Sequence, residues 1–197
     1  MAGAAGGRRP HKHCYPSHNR PRSYAASPFD RRPVGAGKST FSSALAARTQ
    51  GVHIALDEWF AALFSPDRPG GDFVPWYIER KERLLGLIWN HSRRILGSGQ
   101  VVILELGLIQ REHRIEFCRK IKAESFQLVV HVLGAPFEIR RERVRRRNTE
   151  RGPTFSMVVP EHVFEMASRL WEPPDEVECG EFEVAFVTHD STKTSVG

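Results

Sequence analysis

Apolar residues fall along this chain in two rhythms that alternate from about residue 35 onward. Short and almost unbroken apolar runs read as buried strands: Val52 to Leu56 (VHIAL), Val101 to Leu106 (VVILEL), Leu128 to Leu133 (LVVHVL) and Phe182 to Val187 (FEVAFV). Elsewhere apolar residues return every third or fourth position, the spacing of one helix face. That spacing predicts a helix over Phe41 to Arg48 and a long one over Pro75 to Leu96, with Ile78, Leu85, Ile88, Ile95 and Leu96 near one face. Two more follow, from about Pro136 to Arg147 and from about Glu161 to Trp171. Gly97 and Gly99 stop the long helix, and Pro173 and Pro174 stop the last. Strands of this kind separated by helices argue for an α/β fold whose mostly parallel sheet is covered on both faces.

The first 32 residues follow neither rhythm. Pro10, Pro16, Pro21 and Pro28 interrupt them, and Tyr15, Tyr24 and Phe29 are the only large apolar groups, too little surface to offset the entropy of ordering. The expected organisation is a disordered basic tail over 1–32, one ordered domain over 33–190 and a flexible end over 191–197. The net charge of +6 belongs to the tail, where seven Lys or Arg face the single acid Asp30. The remaining 22 basic and 22 acidic residues cancel (29 − 7 and 23 − 1). A basic globular face for nucleic acid is therefore not indicated, and binding through the tail alone would show steep salt dependence. The tail has no apolar core like that of a secretory signal, and its prolines break the amphipathic helix of a transit peptide. No apolar run approaches the roughly 20 residues that cross a bilayer. Cys14, Cys118 and Cys179 are too few and too widely spaced for a disulfide framework or a zinc site, which fits a reducing cytoplasm. His11, His13, Cys14 and His18 crowd together, but in so proline-rich a segment composition accounts for them.

Candidate chemistry concentrates in the run Arg32-Pro33-Val34-Gly35-Ala36-Gly37-Lys38-Ser39-Thr40. Gly35, Ala36 and Gly37 let the backbone wrap closely and aim successive N–H groups at phosphate oxygens. Lys38 adds a charge that reaches the outer phosphates, the Ser39 hydroxyl is suited to magnesium, and the helix from Thr40 onward points its positive end at the same spot. The full signature G-x-x-x-x-G-K-[ST] begins with glycine where this chain has Arg32. Such a loop follows a central parallel strand. The segment available, Ala25 to Arg31, contains Pro28, Asp30 and Arg31, so the first strand reads as missing or degenerate and the first 32 residues as a shifted or rebuilt start.

Three further features carry chemistry. Asp57 follows the strand Val52 to Leu56 at the carboxyl edge where ligands of open parallel sheets bind, and suits a general base; the alternative is an N-cap for Glu58 to Phe64. Glu105 lies inside the apolar run VVILEL, where a carboxylate needs a partner, either a magnesium ion with its waters or a salt bridge to Arg111 or Arg114. Residues 140 to 147 hold six arginines, with Arg140, Arg143 and Arg147 on one helical face and Arg141 and Arg145 on another. A solvated face paired with Glu138 and Glu142 explains most of such a run, while planar guanidinium groups also suit the charge on a transferring phosphoryl group, for which Arg143 and Arg147 are the candidates.

Taken in order, Gly35 to Thr40, Leu56-Asp57, Leu104-Glu105-Leu106-Gly107, Arg143 to Asn148 and Trp171-Glu172-Pro173-Pro174 make the chain resemble the small kinase-like P-loop proteins labelled AAA family ATPases. Its look is that of relatives of zeta toxins, chloramphenicol phosphotransferases and polynucleotide kinases, over about residues 33 to 190. The resemblance implies a three-layer P-loop NTPase sandwich with a core sheet of five parallel strands, an arginine-bearing lid, an aspartate base at Asp57 and the phosphate-binding lysine at Lys38. The expected activity is binding of ATP with magnesium and transfer of the γ-phosphate to a small-molecule or nucleotide-like acceptor bearing a hydroxyl. The alternatives are a plain ATPase and an inactive nucleotide-binding protein. The aromatic segment Trp59 to Glu79, with Phe60, Phe64, Phe73, Trp76 and Tyr77, either lines the acceptor pocket or packs the core.

Overall fold

A computed structural model describes residues 34–71, 73–150 and 158–188. Helix α1 (Lys38–Thr49) runs directly from the glycine-rich loop and turns through Gln50 into strand β1 (Val52–Ala55). Helix α2 (Leu56–Phe64) begins where β1 stops, so Leu56, expected to end the strand, opens the helix instead. A single 3-10 turn (Ser65–Asp67) leads toward the long helix α3 (Phe73–Gly97) and strand β2 (Val102–Glu105). Helix α4 (Arg111–Ala123), strand β3 (Val129–Gly134), helix α5 (Phe137–Glu150), helix α6 (Glu161–Arg169), the short helix α7 (Glu176–Glu181) and strand β4 (Glu183–Thr188) complete the order.

The strands form two parallel pairs, β1 with β2 and β3 with β4. The expected first strand, Ala25 to Arg31, lies outside the described residues, as do the proposed tails and the His11, His13, Cys14 and His18 group. Alternation along the strands shows how the layers are built. On β2, Val102 and Leu104 enter the main core with Ile88, Trp89 and Ile115 from α3 and α4, whereas Ile103 turns the other way onto Leu45 and Ala46 of α1. On β3, Val130 and Val132 join that main core while His131 faces the ring of Phe41 on α1, 5.1 Å between centroids. Both pairs thus present one face to α1 and the other to α3 and α4, the helix–sheet–helix layering expected of this α/β fold. On α3 the buried positions are Leu84, Ile88, Trp89, Ser92 and Leu96, while Ile78 is 49% exposed; the inward stripe begins two turns later than spacing alone suggested. No helix among the described residues is long and apolar enough to cross a membrane.

His131 is the weak point of this packing. Both ring nitrogens are buried without a hydrogen-bond partner among the described residues. Burial, helped by the charge of Arg48, pushes the imidazole below its ordinary pKa. With the folded value depressed, the penalty is absent above the ordinary pKa of about 6.5 and stability is lost as pH falls below it toward the folded value. His131→Leu is expected to remove that acid sensitivity and to stabilise the domain by about 1–3 kcal/mol by deleting unsatisfied polar atoms. Urea midpoints of both proteins at pH 5 and pH 8 check this, and an unchanged pH dependence would count against it.

Candidate functional site

Positive backbone angles build the loop. Gly35 has φ 80° and Gly37 φ 92°, the left-handed region that glycine enters without strain. A Cβ on Gly35 would lie 2.5 Å from the backbone oxygen of Arg140, so only glycine lets the loop rest on α5. Gly37 caps α1 without any side-chain hydrogen bond, which leaves the first amides of the helix to an outside acceptor. The side chain of Ala36 is buried and that of Thr40 is exposed.

Helix α5 holds the loop from behind. Arg140 is 0% exposed, donates from Nη1 to the carbonyl of Val34 at 2.9 Å, and stacks over Phe164 at 5.1 Å. Arg143 reaches the carbonyl of Gly35 from Nη1 at 3.5 Å. The other face of α5 pairs with α6, Arg141 and Arg145 both meeting Glu161, while Arg146 pairs with Glu150. Glu138 and Glu142, expected to neutralise the run, take no part in these pairs. The spacing separated the two faces of the helix, but Arg140 was not singled out, because its partner Val34 is 106 residues away.

At the mouth of the loop, Ser39 Oγ donates to Glu105 Oε1 at 2.9 Å. The other carboxylate oxygen lies 3.1 Å from His53 Nε2. His53 was missed in the sequence, although the register explains it: Ala55 stands opposite Glu105 and His53 two places back, on the same face of the neighbouring strand. The salt bridge considered for Glu105 goes elsewhere, since Arg111 binds Asp175 at 2.6 Å and Arg114 binds Glu178 at 2.6 Å. Burial at 7% exposure pushes the Glu105 carboxyl up, but the His53 hydrogen bond, the Lys38 charge and the Ser39 hydrogen bond outweigh it and hold the group below the ordinary carboxylate range. An ionised, buried carboxylate beside a hydroxyl is a hard oxygen donor set that fits magnesium. No cluster of three or more His, Cys, Asp and Glu forms a metal cage among the described residues.

Asp57 occupies the first turn of α2, two residues beyond the end of β1, with its side chain exposed. Ala55 is the N-cap, without a side-chain hydrogen bond, so the capping role does not apply. Arg147 faces both acids: burial lowers its pKa, while the charges of Asp57 and Glu105 act against that shift. Its Nε is buried with no hydrogen-bond partner among the described residues. The fold thus gathers Lys38, Ser39, Asp57, Glu105 and Arg147 into one electrostatic neighbourhood, with Arg143 against the loop at Gly35. The aromatic residues near Asp57 pack on one another, Phe60 lying 4.8 Å from Tyr77, 5.1 Å from Phe64 and 5.8 Å from Trp76.

The arrangement has relatives among solved structures. A candidate kinase from Chloroflexus aurantiacus j-10-fl superposes with a TM-score of 0.63 at 15% identity, over 86% of this chain and 89% of that one. Kti12 of Chaetomium thermophilum, solved in complex with ADP-AlF3, gives 0.61 at 16% identity, over 85% and 89%. At these identities the likeness is one of fold. No curated protein matches the chain. Family membership rests instead on the sequence that builds the loop, its α1 helix and the segments after it: the model of the AAA domain matches residues 33–174, and the chain belongs to that family as a small kinase-like P-loop NTPase.

Proposed function

We propose that this protein is an ATP- and magnesium-dependent phosphotransferase that moves the γ-phosphoryl group to a small acceptor bearing a hydroxyl. The observation that carries this reading is the 2.9 Å hydrogen bond from Ser39 to the buried Glu105, under the charge of Lys38, at the uncapped start of α1. Gly35, Ala36 and Gly37, with the amides of Lys38, Ser39 and Thr40, cradle the phosphates, and Lys38 neutralises the outer ones. Ser39 and Glu105 would hold magnesium. Bound there, the ion neutralises phosphate charge and lowers the barrier to transfer.

The proton of the acceptor hydroxyl passes to the carboxylate of Asp57. A bond forms between the acceptor oxygen and the γ-phosphorus, the bond from that phosphorus to the bridging oxygen breaks, and ADP leaves with the electron pair. Arg143 and Arg147 stabilise the equatorial oxygens during the transfer.

Asp57→Asn keeps shape and removes the base. Turnover is expected to fall by about 10²–10⁴-fold while ATP affinity stays within about 3-fold. γ-Labelled ATP and calorimetry measure the two, and undiminished turnover would remove Asp57 from its role. The exposure of Asp57 favours a second reading, a plain ATPase, because water reaches that carboxylate as readily as an acceptor does. Label recovered only as inorganic phosphate, whatever hydroxyl compound is supplied, would decide for it.

A further inference from the structure

Helix α3 brings a lysine to the acceptor side of this site that the phosphotransfer chemistry above does not use. Phe60, one helical turn after Asp57 on α2, packs on Tyr77 of α3 at 4.8 Å between ring centroids. Lys81 follows Tyr77 by four residues, so it shares that face of α3. The contact therefore turns the Tyr77 and Lys81 side of α3 toward the Asp57 side of α2. Both side chains are half-buried. Of the two acids on α3, Glu79 pairs with Arg83 at 3.1 Å and with Arg80 at 3.5 Å, and Glu82 is exposed. Among the described residues Lys81 has no ion pair.

The electrostatics agree with this placement. Burial lowers the Lys81 pKa while the charge of Asp57 opposes the shift, and burial followed by the Asp57 charge raises that of Tyr77. Both groups therefore sense the proposed base. A half-buried ammonium is costly unless an anion comes to meet it, and Asp57 alone is an exposed partner on another helix. Packing by itself would be better served by methionine or leucine at this position.

We propose that Lys81, with the Tyr77 hydroxyl beside it, is the anion-binding subsite for the phosphoryl acceptor, which is a small hydroxyl compound carrying a carboxylate or a phosphate. This rests on the phosphotransferase reading and narrows its substrate class. The anionic group docks on Lys81, and the hydroxyl is left at Asp57 to face the nucleotide.

The test uses the full chain saturated with magnesium and the non-transferable analogue AMP-PNP, so that the phosphate loop is already filled. Calorimetric titrations compare acceptors that differ only in the charged group: glycerol, glycerate and glycerol 3-phosphate, and then ribose and ribose 5-phosphate. At least one anionic compound is expected to bind about 10- to 100-fold more tightly than its neutral counterpart, the range of a charge-assisted hydrogen bond. Lys81→Met is expected to erase that difference and Lys81→Arg to keep most of it, with AMP-PNP affinity unchanged in both. A melting temperature for Lys81→Met at or above that of the parent shows that the variant folds. Whether the preferred anion is the carboxylate or the phosphate is read from the two arms of each series. A protein that takes AMP-PNP but prefers no anion, or whose preference survives Lys81→Met, overturns the subsite alone. A protein that takes no AMP-PNP overturns the phosphotransferase reading and the subsite with it.

Discussion

Lys38→Met should lower ATP turnover by on the order of 10²–10³-fold and weaken magnesium–ATP binding in calorimetry, with the melting temperature little changed. The side chain keeps its length and loses its charge, so what disappears is the one ammonium set at the start of α1, where the amides of the loop supply only partial charges. A second effect follows through Glu105, whose depressed pKa depends in part on the Lys38 charge. A carboxyl held below its ordinary value contributes stability above the unfolded pKa of about 4.3 and loses it as pH falls through the folded value. In Lys38→Met the folded value moves back toward the ordinary one, and that contribution shrinks. Urea titrations at pH 4 and pH 7 register it separately from catalysis. If turnover and affinity both survive the substitution, the phosphates are not held here.

What the sequence disclosed about this site follows from how local each feature is. The loop Gly35 to Thr40 was legible because one run of residues sets both the backbone path and the donors, and the strand-and-helix rhythm was legible because burial repeats along it. The partners of Glu105 were not. A carboxylate in an apolar run announces only that something must meet it, and whether that is Arg114 or His53 depends on a strand register that no local pattern records. Arg140 shows the same limit from the other side. Helical spacing placed it with Arg143 and Arg147, yet only the approach of Gly35 to its backbone explains why it is buried under the loop instead of lying exposed. Helices α4 and α7 escaped individual notice for a further reason: α7 is short and dense in charge, and the narrow stripe Ile115, Cys118 and Ile121 of α4 is set among charged residues, several of which tie the two helices together as ion pairs.

That ion-paired seam gives the largest expected effect on stability. Arg114 is 0% exposed and Glu178 3%, and the guanidinium meets the carboxylate through two hydrogen bonds, Nε to Oε1 at 2.6 Å and Nη2 to Oε2. Nη1 donates to the carbonyl of Glu172 at 3.0 Å, and the plane stacks over Trp171 at 5.3 Å. One arginine on α4 thus pins the whole stretch from Trp171 through α7 into β4. Arg114→Met leaves Glu178 buried without a counter-charge and is expected to cost about 3–5 kcal/mol, a drop of roughly 6–20 °C in melting temperature for a domain of this size. Removing the acid as well, in Arg114→Met with Glu178→Leu, abolishes the stranded charge, so the double variant should regain most of what the single one loses. Chemical unfolding of the two variants separates this from a simple loss of packing: equal destabilisation of both would mean that the volume of Arg114 matters and its charge does not. The single variant is also expected to loosen β4 against β3, which pair at six positions from Val129 with Glu183 to Gly134 with Thr188, because α7 leads directly into β4. Hydrogen exchange confined to those strands would then rise before the loop at Gly35 to Thr40 is affected.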